Sequence, residues 1–209
     1  MSCCALVGAS DFNSEHFMEL DAQGQFDYVI AVDGGFAHLE SIGRKADMAL
    51  GDFDSLGYTP KGIRMAKFSP KKDKSDMELA LDRAKAQRFD VVYVYGALGG
   101  RLDHTMANLQ LMAKFCEQGM YVNAVGMNEL VMYVTGPDML ELPAYDDGTV
   151  SVFSLSDQST GVFERGLLYE LDDAVITNRT SLGLSNEFVG EPSVVGVESG
   201  TLAVMVALS

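Results

Sequence analysis

Residues 91–104 read Val-Val-Tyr-Val-Tyr-Gly-Ala-Leu-Gly-Gly-Arg-Leu-Asp-His, and this stretch decides the fold class. Its first five residues form a short apolar run, which predicts a buried strand. A glycine-rich turn follows, and from His104 to Gln118 the apolar residues recur with helical spacing. A buried strand that runs through a turn into a helix is the unit from which helix-covered parallel sheets are built.

Strands and helices alternate on both sides of this stretch. After residue 104, one apolar stripe recurs at helical spacing, which predicts that its methionines pack in the core. That stripe consists of Met106, Leu109, Met112, Ala113 and Cys116. Further buried strands are predicted at 3–7, 28–32, 48–50 and 122–125, with another helix at 76–88. The repeated order predicts a mainly parallel sheet with helices on both faces.

The pattern changes from about Met132 onward, where the helical period disappears. Short strands are predicted at 149–155, 162–169, 173–177 and 201–208, separated by Gly, Asn and Pro residues. This pattern is typical of a small antiparallel β-sandwich. The turn signal Gly136-Pro137 divides the chain into a predicted α/β domain, residues 1–135, and a predicted β-sandwich domain, residues 136–209.

Composition excludes several classes of partner. The 209 residues are 47% hydrophobic and carry a formal net charge of −15. Such an acidic chain is unsuited to nucleic acid or an anionic membrane, because both are bound mainly through Lys and Arg. No apolar run is long enough to cross a bilayer, and no basic stretch precedes the short apolar run near the N-terminus. We expect a cytoplasmic protein whose cysteines, Cys3, Cys4 and Cys116, are reduced.

Two acidic motifs directly follow predicted strands. Asp33-Gly34-Gly35 follows the strand at 28–32, and its glycines let the backbone turn sharply beside a ligand. Gly51-Asp52-Phe53-Asp54-Ser55 follows the strand at 48–50, and its paired carboxylates can converge on one hard cation. Taken singly, an ordinary turn or a pair of Asx turns explains either motif. Their shared position favours function, because ligands of open parallel sheets bind beyond the carboxyl ends of the strands.

A third motif, Lys72-Asp73-Lys74-Ser75-Asp76, opens a predicted helix. A structural explanation is available, in which Asp73 caps the helix and Asp76 interacts favourably with the helix dipole. Capping requires only one acid, however, and it does not require the lysines. Acids interleaved with Lys72 and Lys74 suit a metal–phosphate site, where cations and Mg²⁺ share the phosphate charge.

The glycine-rich turn within residues 91–104 is suited to phosphate. It exposes backbone N–H groups at the beginning of a helix, and Arg101 offers a bidentate fork to phosphate oxygens. The turn matches neither the P-loop nor the dinucleotide-binding fingerprint. Asp103 is a candidate N-cap as well as a candidate ligand, and Asn108 shares part of its helical face. His104 is more typical of a cap or surface position than of a catalytic one.

Together these motifs predict one acidic site at the carboxyl edge of the sheet. Crowded carboxylates repel one another and have raised pKa values unless a divalent cation neutralises them. Carboxylate and phosphate ligands favour Mg²⁺. The implied chemistry is phosphoryl-type transfer by positioning and charge neutralisation, in a nucleotide-dependent enzyme or a phosphohydrolase. The acids concerned are Asp52, Asp54, Asp73, Asp76 and Asp103.

The order of the motifs resembles the thiamin pyrophosphokinase family, of the bacterial type. The first half reads D-G-G, G-D-F-D-S, K-D-K-S-D and G-G-R-L-D-H-T-M-A-N. In the second half, residues 154–166 and 181–188 resemble the β-domain of that family, where an S-N-E segment helps to hold thiamin. The resemblance spans nearly the whole chain. It implies an enzyme, a thiamin diphosphokinase, that transfers the diphosphate of ATP to the hydroxyl of thiamin and releases AMP.

The resemblance also implies roles for individual residues. It assigns the Mg²⁺ ion and the ATP phosphates to Asp52, Asp54, Asp73 and Asp76, with Arg101 and Asp103 completing the catalytic set. Further contacts to ATP are implied for Asp33, Gly34, Lys72, Ser75, Arg101 and Asn108. Contacts to thiamin are implied for Ser185 and Asn186. Because members of the family are homodimers, we expect a homodimer whose small-molecule substrates are thiamin and ATP.

Some details depart from the family pattern. Ser75 stands where the family often has Thr, and the chain has no Trp to stack on thiamin. Phe188 and Tyr169 are the aromatic residues considered as replacements for that indole. Two other functions are compatible with the motifs, namely a Mg²⁺-dependent phosphohydrolase and a non-catalytic sensor of a nucleotide or a thiamin compound.

Overall fold

The apolar runs of the first half form parallel strands in the computed structural model, which describes residues 1–53, 56–58, 62–68 and 73–208. These strands are β1 (Cys3–Val7), β2 (Tyr28–Val32), β3 (Met48–Gly51), β4 (Arg64–Lys67), β5 (Val91–Tyr95) and β6 (Tyr121–Val125). The helices are α1 (Ser14–Ala22), α2 (Gly35–Ser41), α3 (Asp76–Ala86) and α4 (Leu102–Glu117). All strands and helices predicted for this half are confirmed. Strand β4 and helices α1 and α2 were not predicted, because they are short and lack a clear apolar period.

The first-half strands pair in the order β6-β5-β1-β2-β3-β4, and every pair is parallel. Val7, the last residue of β1, is level with Ala31 of β2 and with Tyr95 of β5. The chain runs outward from β1 to β4 and then continues with β5 on the other side of β1. Strand order therefore reverses between β1 and β5, which is where open parallel sheets form a ligand-binding crevice.

Helix α3 shows how local sequence positions the site. The Ser75 hydroxyl accepts a hydrogen bond from the Glu78 backbone N–H at 3.1 Å, so Ser75 is the N-cap. The alternative in which Asp73 caps this helix is therefore wrong. Asp76 and Glu78 lie in the first turn, and basic residues lie in the last turn, as the helix dipole favours. Met77 is one of the buried residues on the face of α3 that packs against the sheet.

The apolar stripe of α4 is only partly buried. Met112 and Ala113 are buried, whereas the Met106 side chain is 51% exposed. The prediction of core packing is thus confirmed for Met112 and wrong for Met106. Leu102, one turn before Met106, is also exposed. Helical periodicity identifies one face of a helix, but it does not show how far along the helix the covering structure extends.

The second half of the chain forms two antiparallel sheets. Its strands are β7 (Glu129–Thr135), β8 (Asp138–Leu142), β9 (Thr149–Ser154), β10 (Gln158–Arg165), β11 (Leu171–Thr177), β12 (Asn186–Glu187), β13 (Ser193–Val197) and β14 (Thr201–Ala207). The order is β12-β9-β14-β7 on one side and β11-β10-β13-β8 on the other. The predicted β-sandwich is confirmed, although β7, β8, β12 and β13 were not predicted.

Alternate side chains of the two sheets meet in one core. Val150 and Val152 of β9, for example, are fully buried, and so are Leu202 and Val204 of β14. The opposite sheet contributes residues such as Val195 of β13. This alternation follows from the period of two in a strand, which directs successive side chains to opposite faces.

Contacts within the chain define two compact units. The first contains Met1–Leu111 and Gly119–Met127, and the second contains Met112–Gln118 and the chain from Asn128 onward. The functional division at residues 135 and 136 stays a prediction. Within the part of the chain described here, no helix has both the length and the apolar character needed to span a membrane.

Candidate functional site

A cleft of about 360 Å³ lies at the carboxyl edge of the parallel sheet, and we call it the carboxyl-edge cleft. Three carboxylates from different elements line it: Asp33 after β2, Asp52 after β3 and Asp76 at the beginning of α3. Ser75, Lys74 and Asn108 line it as well. The cleft thus contains residues from all four motifs of the first half, namely D-G-G, G-D-F-D-S, K-D-K-S-D and G-G-R-L-D-H-T-M-A-N.

Two glycines form the floor of this cleft where strand order reverses. A Cβ atom on Gly8 would lie 2.5 Å from the Gly96 carbonyl oxygen, and one on Gly96 would lie 2.2 Å from the Gly8 oxygen. The Ser10 N–H donates a hydrogen bond of 2.9 Å to that Gly96 oxygen. The loops after β1 and β5 therefore pack backbone against backbone, which no larger residue permits. Gly8 was not predicted as a site residue, although it directly follows a predicted strand.

The Asp33 turn is shaped by its neighbours. Asp33 has a φ of 49°, in the left-handed region that Asp tolerates better than most residues. Its N–H donates to the Leu50 carbonyl at 2.7 Å, which places it beside the end of β3. Gly35 provides the close approach, because a Cβ there would lie 1.8 Å from the Val7 oxygen. Gly34, in contrast, is the N-cap of α2 with an ordinary φ of −58°.

The G-D-F-D-S loop is described in part. Asp52 lines the cleft, and Phe53 is buried with a φ of 61°. This turn places the Asp52 carboxylate at the edge of the sheet while Phe53 anchors the loop in the core. Asp54 and Lys72, which were predicted as ligands for metal and ATP, lie outside the described residues.

The described residues of the K-D-K-S-D motif, 73–76, divide into two groups. Lys74, Ser75 and Asp76 line the cleft, whereas Asp73 is exposed and is not one of the lining residues. The Lys74 ammonium lies 2.6 Å from the Asp82 carboxylate, and hydrogen bonding to Asp82 raises the Lys74 pKa. Lys74 thus lines the cleft while its ammonium pairs with acids of α3, Asp82 and, at 3.7 Å, Glu78.

Arg101 and Asp103 form an exposed bidentate pair at the beginning of α4. Arg101 Nε donates to Asp103 Oδ1 at 3.1 Å, and Nη2 donates to Oδ2 at 2.6 Å. Hydrogen bonding to Arg101 lowers the Asp103 pKa to about 2. The two side chains are 72% and 63% exposed, and exposed pairs contribute little to stability. An incoming phosphate can therefore replace Asp103 on Arg101 at small cost.

Asn108 supports the loop after β5. Its Nδ2 donates a hydrogen bond of 2.8 Å to the Ala97 carbonyl oxygen. Asn108 lies in α4, so this bond ties the helix to the loop that carries Gly96. The side chain both lines the carboxyl-edge cleft and fixes one of its walls.

A second cleft, of about 650 Å³, shares Ala9, Ser10 and His104 with the first, and we call it the aromatic cleft. Arg101 lines it, as do Phe12 and His38, whose rings are stacked with centroids 5.1 Å apart. His38 Nε2 donates to the Ser10 carbonyl at 2.9 Å, which holds the ring in place. A flat aromatic wall beside an acidic, glycine-lined cleft is suited to a nucleobase next to its phosphates. Phe12 and His38 were not predicted, because no sequence motif marks them.

The donor set of the carboxyl-edge cleft fits Mg²⁺ bound together with a phosphate. Across the described ranges, no group of three or more His, Cys, Asp or Glu side chains is close enough to hold a metal ion. The acidic donors that line the cleft, Asp33, Asp52 and Asp76, are hard oxygen ligands. Mg²⁺ commonly binds one or two carboxylates and completes its octahedron with waters and substrate phosphates.

The second unit contains its own pocket, of about 290 Å³, which we call the sandwich pocket. Its walls come from Glu164 of β10, from Tyr169, from the turn at 181–184 and from Asn186 of β12. Tyr169 is 64% exposed, whereas Phe188 is 6% exposed and packs in the core against Tyr145. Of the two aromatic residues named as replacements for the indole, Tyr169 lines this pocket and Phe188 does not.

The Asn186 amide is saturated by protein groups. Nδ2 donates to Glu164 Oε2 at 2.8 Å and to the Tyr169 carbonyl at 2.7 Å. Oδ1 accepts hydrogen bonds from the N–H groups of Tyr169 at 3.0 Å and Glu187 at 2.9 Å. An amide has two donor hydrogens and two acceptor lone pairs, so its capacity is used. In this arrangement Asn186 positions its neighbours and has no group left for a ligand.

Ser185 belongs to the turn that leads into β12. It has a φ of 56°, and its N–H donates to the Ser151 hydroxyl at 3.0 Å. The side chain is exposed and is not one of the residues that line the sandwich pocket. The structure therefore places Ser185 next to the pocket and Asn186 in its wall.

Models of two domains of one protein family match this chain in order. The domain described as "Thiamin pyrophosphokinase, catalytic domain" matches residues 21–124, and "Thiamin pyrophosphokinase, vitamin B1 binding domain" matches residues 140–202. The chain belongs to the thiamin pyrophosphokinase family. Except for Gly8, Ala9 and Ser10, the carboxyl-edge cleft lies within the catalytic-domain match, and the whole sandwich pocket lies within the B1-binding match.

Individual family members agree in sequence and in fold. The thiamine pyrophosphokinase of Bacillus subtilis is 29% identical over 168 residues, which cover 77% of this chain and 78% of that protein. The thiamin pyrophosphokinase of Caenorhabditis elegans is 26% identical over 175 residues, covering 77% and 71%. A crystal structure of the Bacillus subtilis protein superimposes over the whole of both chains with a TM-score of 0.84 and 22% identity. The predicted family and fold class are confirmed.

Proposed function

We propose that this protein transfers the diphosphate of ATP to the hydroxyl of thiamin, giving thiamin diphosphate and AMP. The observation that carries the proposal is the match of both family domains, in order, to regions that contain an acid-lined cleft and a separate pocket. The reaction is attack of the thiamin hydroxyl oxygen on the β-phosphorus of ATP. The bond from that phosphorus to the AMP oxygen breaks, and the hydroxyl proton is released.

The nucleotide occupies the two clefts of the first unit in this proposal. The base lies against the stacked rings of Phe12 and His38, and the phosphates extend over Gly8 and Gly96 into the carboxyl-edge cleft. Arg101 exchanges Asp103 for a phosphate oxygen. The residues proposed to complete ATP binding are Asp33, Gly34, Lys72, Ser75 and Asn108.

The acids hold Mg²⁺ together with the phosphates. The proposed ligands are Asp52, Asp54, Asp73 and Asp76, of which Asp52 and Asp76 line the cleft in the structure. When bound, Mg²⁺ supplies charge neutralisation for the transferred diphosphate. The protein contributes positioning, because transfer requires the thiamin oxygen, the β-phosphorus and the AMP oxygen to be in line.

Thiamin binds at the sandwich pocket. Tyr169 offers an exposed ring beside a wall of the turn 181–184, and a positively charged heterocycle is attracted to the face of such a ring. Ser185 and Asn186 belong to this site, with Asn186 acting through the side chains that it holds.

The protein is proposed to be a cytoplasmic homodimer. Leu182 and Leu184, which line the sandwich pocket, are each about half exposed, and so is Leu168, next to Tyr169 in sequence. Apolar surface of this kind is commonly covered by a partner. Sedimentation equilibrium of the purified protein measures its mass in solution, and a monomer at micromolar concentration would contradict the dimer.

The identity of the nucleotide product tests the proposed function. The protein is incubated with ATP, Mg²⁺ and thiamin, and the products are separated by chromatography. AMP and thiamin diphosphate are expected in equal amounts, with no AMP when thiamin is omitted. ADP with thiamin monophosphate would indicate a conventional kinase, and nucleotide breakdown without thiamin would indicate a hydrolase. Nucleotide binding without turnover would indicate a sensor.

Arg101→Lys tests the proposed phosphate fork. Lysine keeps the charge but loses the two parallel N–H donors, so the KM for ATP is expected to rise about 5- to 20-fold. Steady-state kinetics at saturating thiamin measure the change. Arg165→Lys is the matched control, because Arg165 forms a comparable exposed pair with Asp172 at 2.9 Å in the second unit. An unchanged KM for ATP in Arg101→Lys would remove Arg101 from the site.

Tyr169→Ala tests the aromatic contact with thiamin. Loss of the ring is expected to weaken thiamin binding by about 1–2 kcal/mol, since a desolvated cation–π contact contributes about that much. The KM for ATP is expected to stay constant. Tyr169→Phe keeps the ring and serves as the control, so a similar loss of thiamin affinity in both variants would point to the hydroxyl instead.

A further inference from the structure

Glu164 is a buried acid that the proposed mechanism leaves unexplained. It lies on β10 with 0% of its surface exposed. Burial raises its pKa, and the hydrogen bond from Asn186 offsets only part of that effect. None of the ion pairs found among the described residues includes Glu164. A buried acid without a cation is uncommon, because removing a carboxylate from water is costly.

One of its two oxygens is unused. Oε2 accepts the 2.8 Å hydrogen bond from Asn186 Nδ2. Oε1 is buried and accepts no hydrogen bond from any residue within the described ranges. Buried polar atoms are nearly always paired in native proteins, so an unpaired acceptor calls for a functional explanation.

The unused oxygen belongs to a residue in the wall of the sandwich pocket. Gly183, also in that wall, packs closely beside it, since a Cβ on Gly183 would lie only 3.3 Å from Oε1. The same Cβ would lie 2.6 Å from the Val152 oxygen, so the turn requires glycine. The glycine thus removes a side chain from the immediate surroundings of Oε1.

The chemistry of thiamin indicates which of its groups binds Glu164 Oε1. A carboxylate oxygen with free lone pairs requires an N–H or O–H donor. Thiamin carries a hydroxyl, an exocyclic amine on its pyrimidine and a positively charged thiazolium ring. The hydroxyl must reach the phosphorus, and the thiazolium ring has no N–H. The exocyclic amine is therefore the available donor.

We propose that Glu164 is a specificity-determining residue, whose Oε1 accepts a hydrogen bond from the exocyclic amine of thiamin. Asn186 is a positioning residue that holds the carboxylate through Oε2 and holds the Tyr169 backbone beside it. The inference rests on the proposed function, because that function makes thiamin the acceptor. It assigns the second unit a polar recognition element in addition to the Tyr169 ring.

Glu164→Gln is the first test. The Gln carbonyl oxygen takes the place of Oε2 opposite Asn186, which puts its NH₂ where Oε1 stood, so that two donors face each other. The KM for thiamin is expected to rise about tenfold or more, while the KM for ATP changes by less than about twofold. Glu170→Gln, an exposed residue whose Oε1 accepts from the Gly166 N–H, is the matched control and should leave both values unchanged.

A thiamin analogue that lacks only the exocyclic amine provides the second test. The unmodified protein is expected to bind thiamin about tenfold or more tightly than this analogue, measured by calorimetry without nucleotide. Glu164→Gln is expected to lose most of that preference, which a purely structural residue would not alter. If the unmodified protein binds thiamin and the analogue equally tightly, the inference is overturned, even if Glu164→Gln fails to fold.

The two proposals fail in different ways. If the unmodified protein forms AMP and thiamin diphosphate but Glu164→Gln keeps the same KM for thiamin, the role of Glu164 is wrong and the proposed function stands. If the unmodified protein neither binds nor converts thiamin, the proposed function is wrong, and the assignment of Glu164 falls with it.

Discussion

Replacement of Asp52 by Asn is expected to lower kcat roughly 100- to 1,000-fold. Asp52 lines the carboxyl-edge cleft directly after β3, where the proposed Mg²⁺ and the ATP phosphates meet. The amide keeps the size and shape of the side chain but removes the negative charge that the metal requires. The melting temperature is expected to be unchanged or slightly higher, because one charge is removed from an acidic surface. Initial rates at saturating ATP and thiamin, over a range of Mg²⁺ concentrations, measure the effect.

Asp90→Asn is the matched control for this prediction. Asp90 is an exposed acid directly before β5, at the opposite edge of the same sheet, and its carboxylate accepts a hydrogen bond from the Ser2 N–H at 2.8 Å. Asparagine can still accept that bond, so activity should be close to that of the unmodified protein. If Asp52→Asn retained a normal kcat at ordinary Mg²⁺ concentrations, the metal site would have to lie elsewhere.

Replacement of Asn186 by Ala is expected to lower the free energy of unfolding by about 3–5 kcal/mol. The variant loses the hydrogen bonds that join β12 to Glu164 and to the Tyr169 backbone. It also leaves the buried Glu164 carboxylate without its hydrogen-bond donor, and an uncompensated buried acid is among the most destabilising defects. Urea denaturation followed by circular dichroism measures the loss.

Asn178→Ala separates this effect from the general loss of an amide. Asn178 is exposed in the same unit, and its Nδ2 donates one long hydrogen bond of 3.3 Å to Asp157. Its replacement is expected to change stability by less than about 0.5 kcal/mol. A stable Asn186→Ala protein with weakened thiamin binding would instead support the direct contact implied by the family resemblance.

The family resemblance treats Asn186 as a ligand of thiamin, whereas the structure shows an amide bound entirely to protein. Glu164, 22 positions earlier in the chain, takes one of its donors, and the Tyr169 backbone takes the other. The motif S-N-E predicts a functional polar residue at this position. The hydrogen-bond partners of that residue come from segments distant in sequence, and a local motif does not identify them.

Several features of the first unit could be predicted because they depend on local chemistry. Apolar runs specify the strands, and the motifs that follow them are placed at one edge by the parallel order alone. Asp33, Asp52 and Asp76 accordingly line one cleft. Asp73 belongs to the same motif as Asp76, yet it is exposed and outside the lining, because it precedes the N-cap Ser75 and is not part of helix α3.

The sequence by itself determined the family, the fold class and the kinds of side chain available for chemistry. These properties follow from residue type, period and order, which are written along the chain. Tertiary structure alone decided that Gly8 and Gly96 pack backbone against backbone, that Tyr169 rather than Phe188 is exposed at the sandwich pocket, and that Glu164 keeps an unused oxygen. Burial and hydrogen-bond partners are set by residues far apart in sequence, so they arise only when the chain has folded.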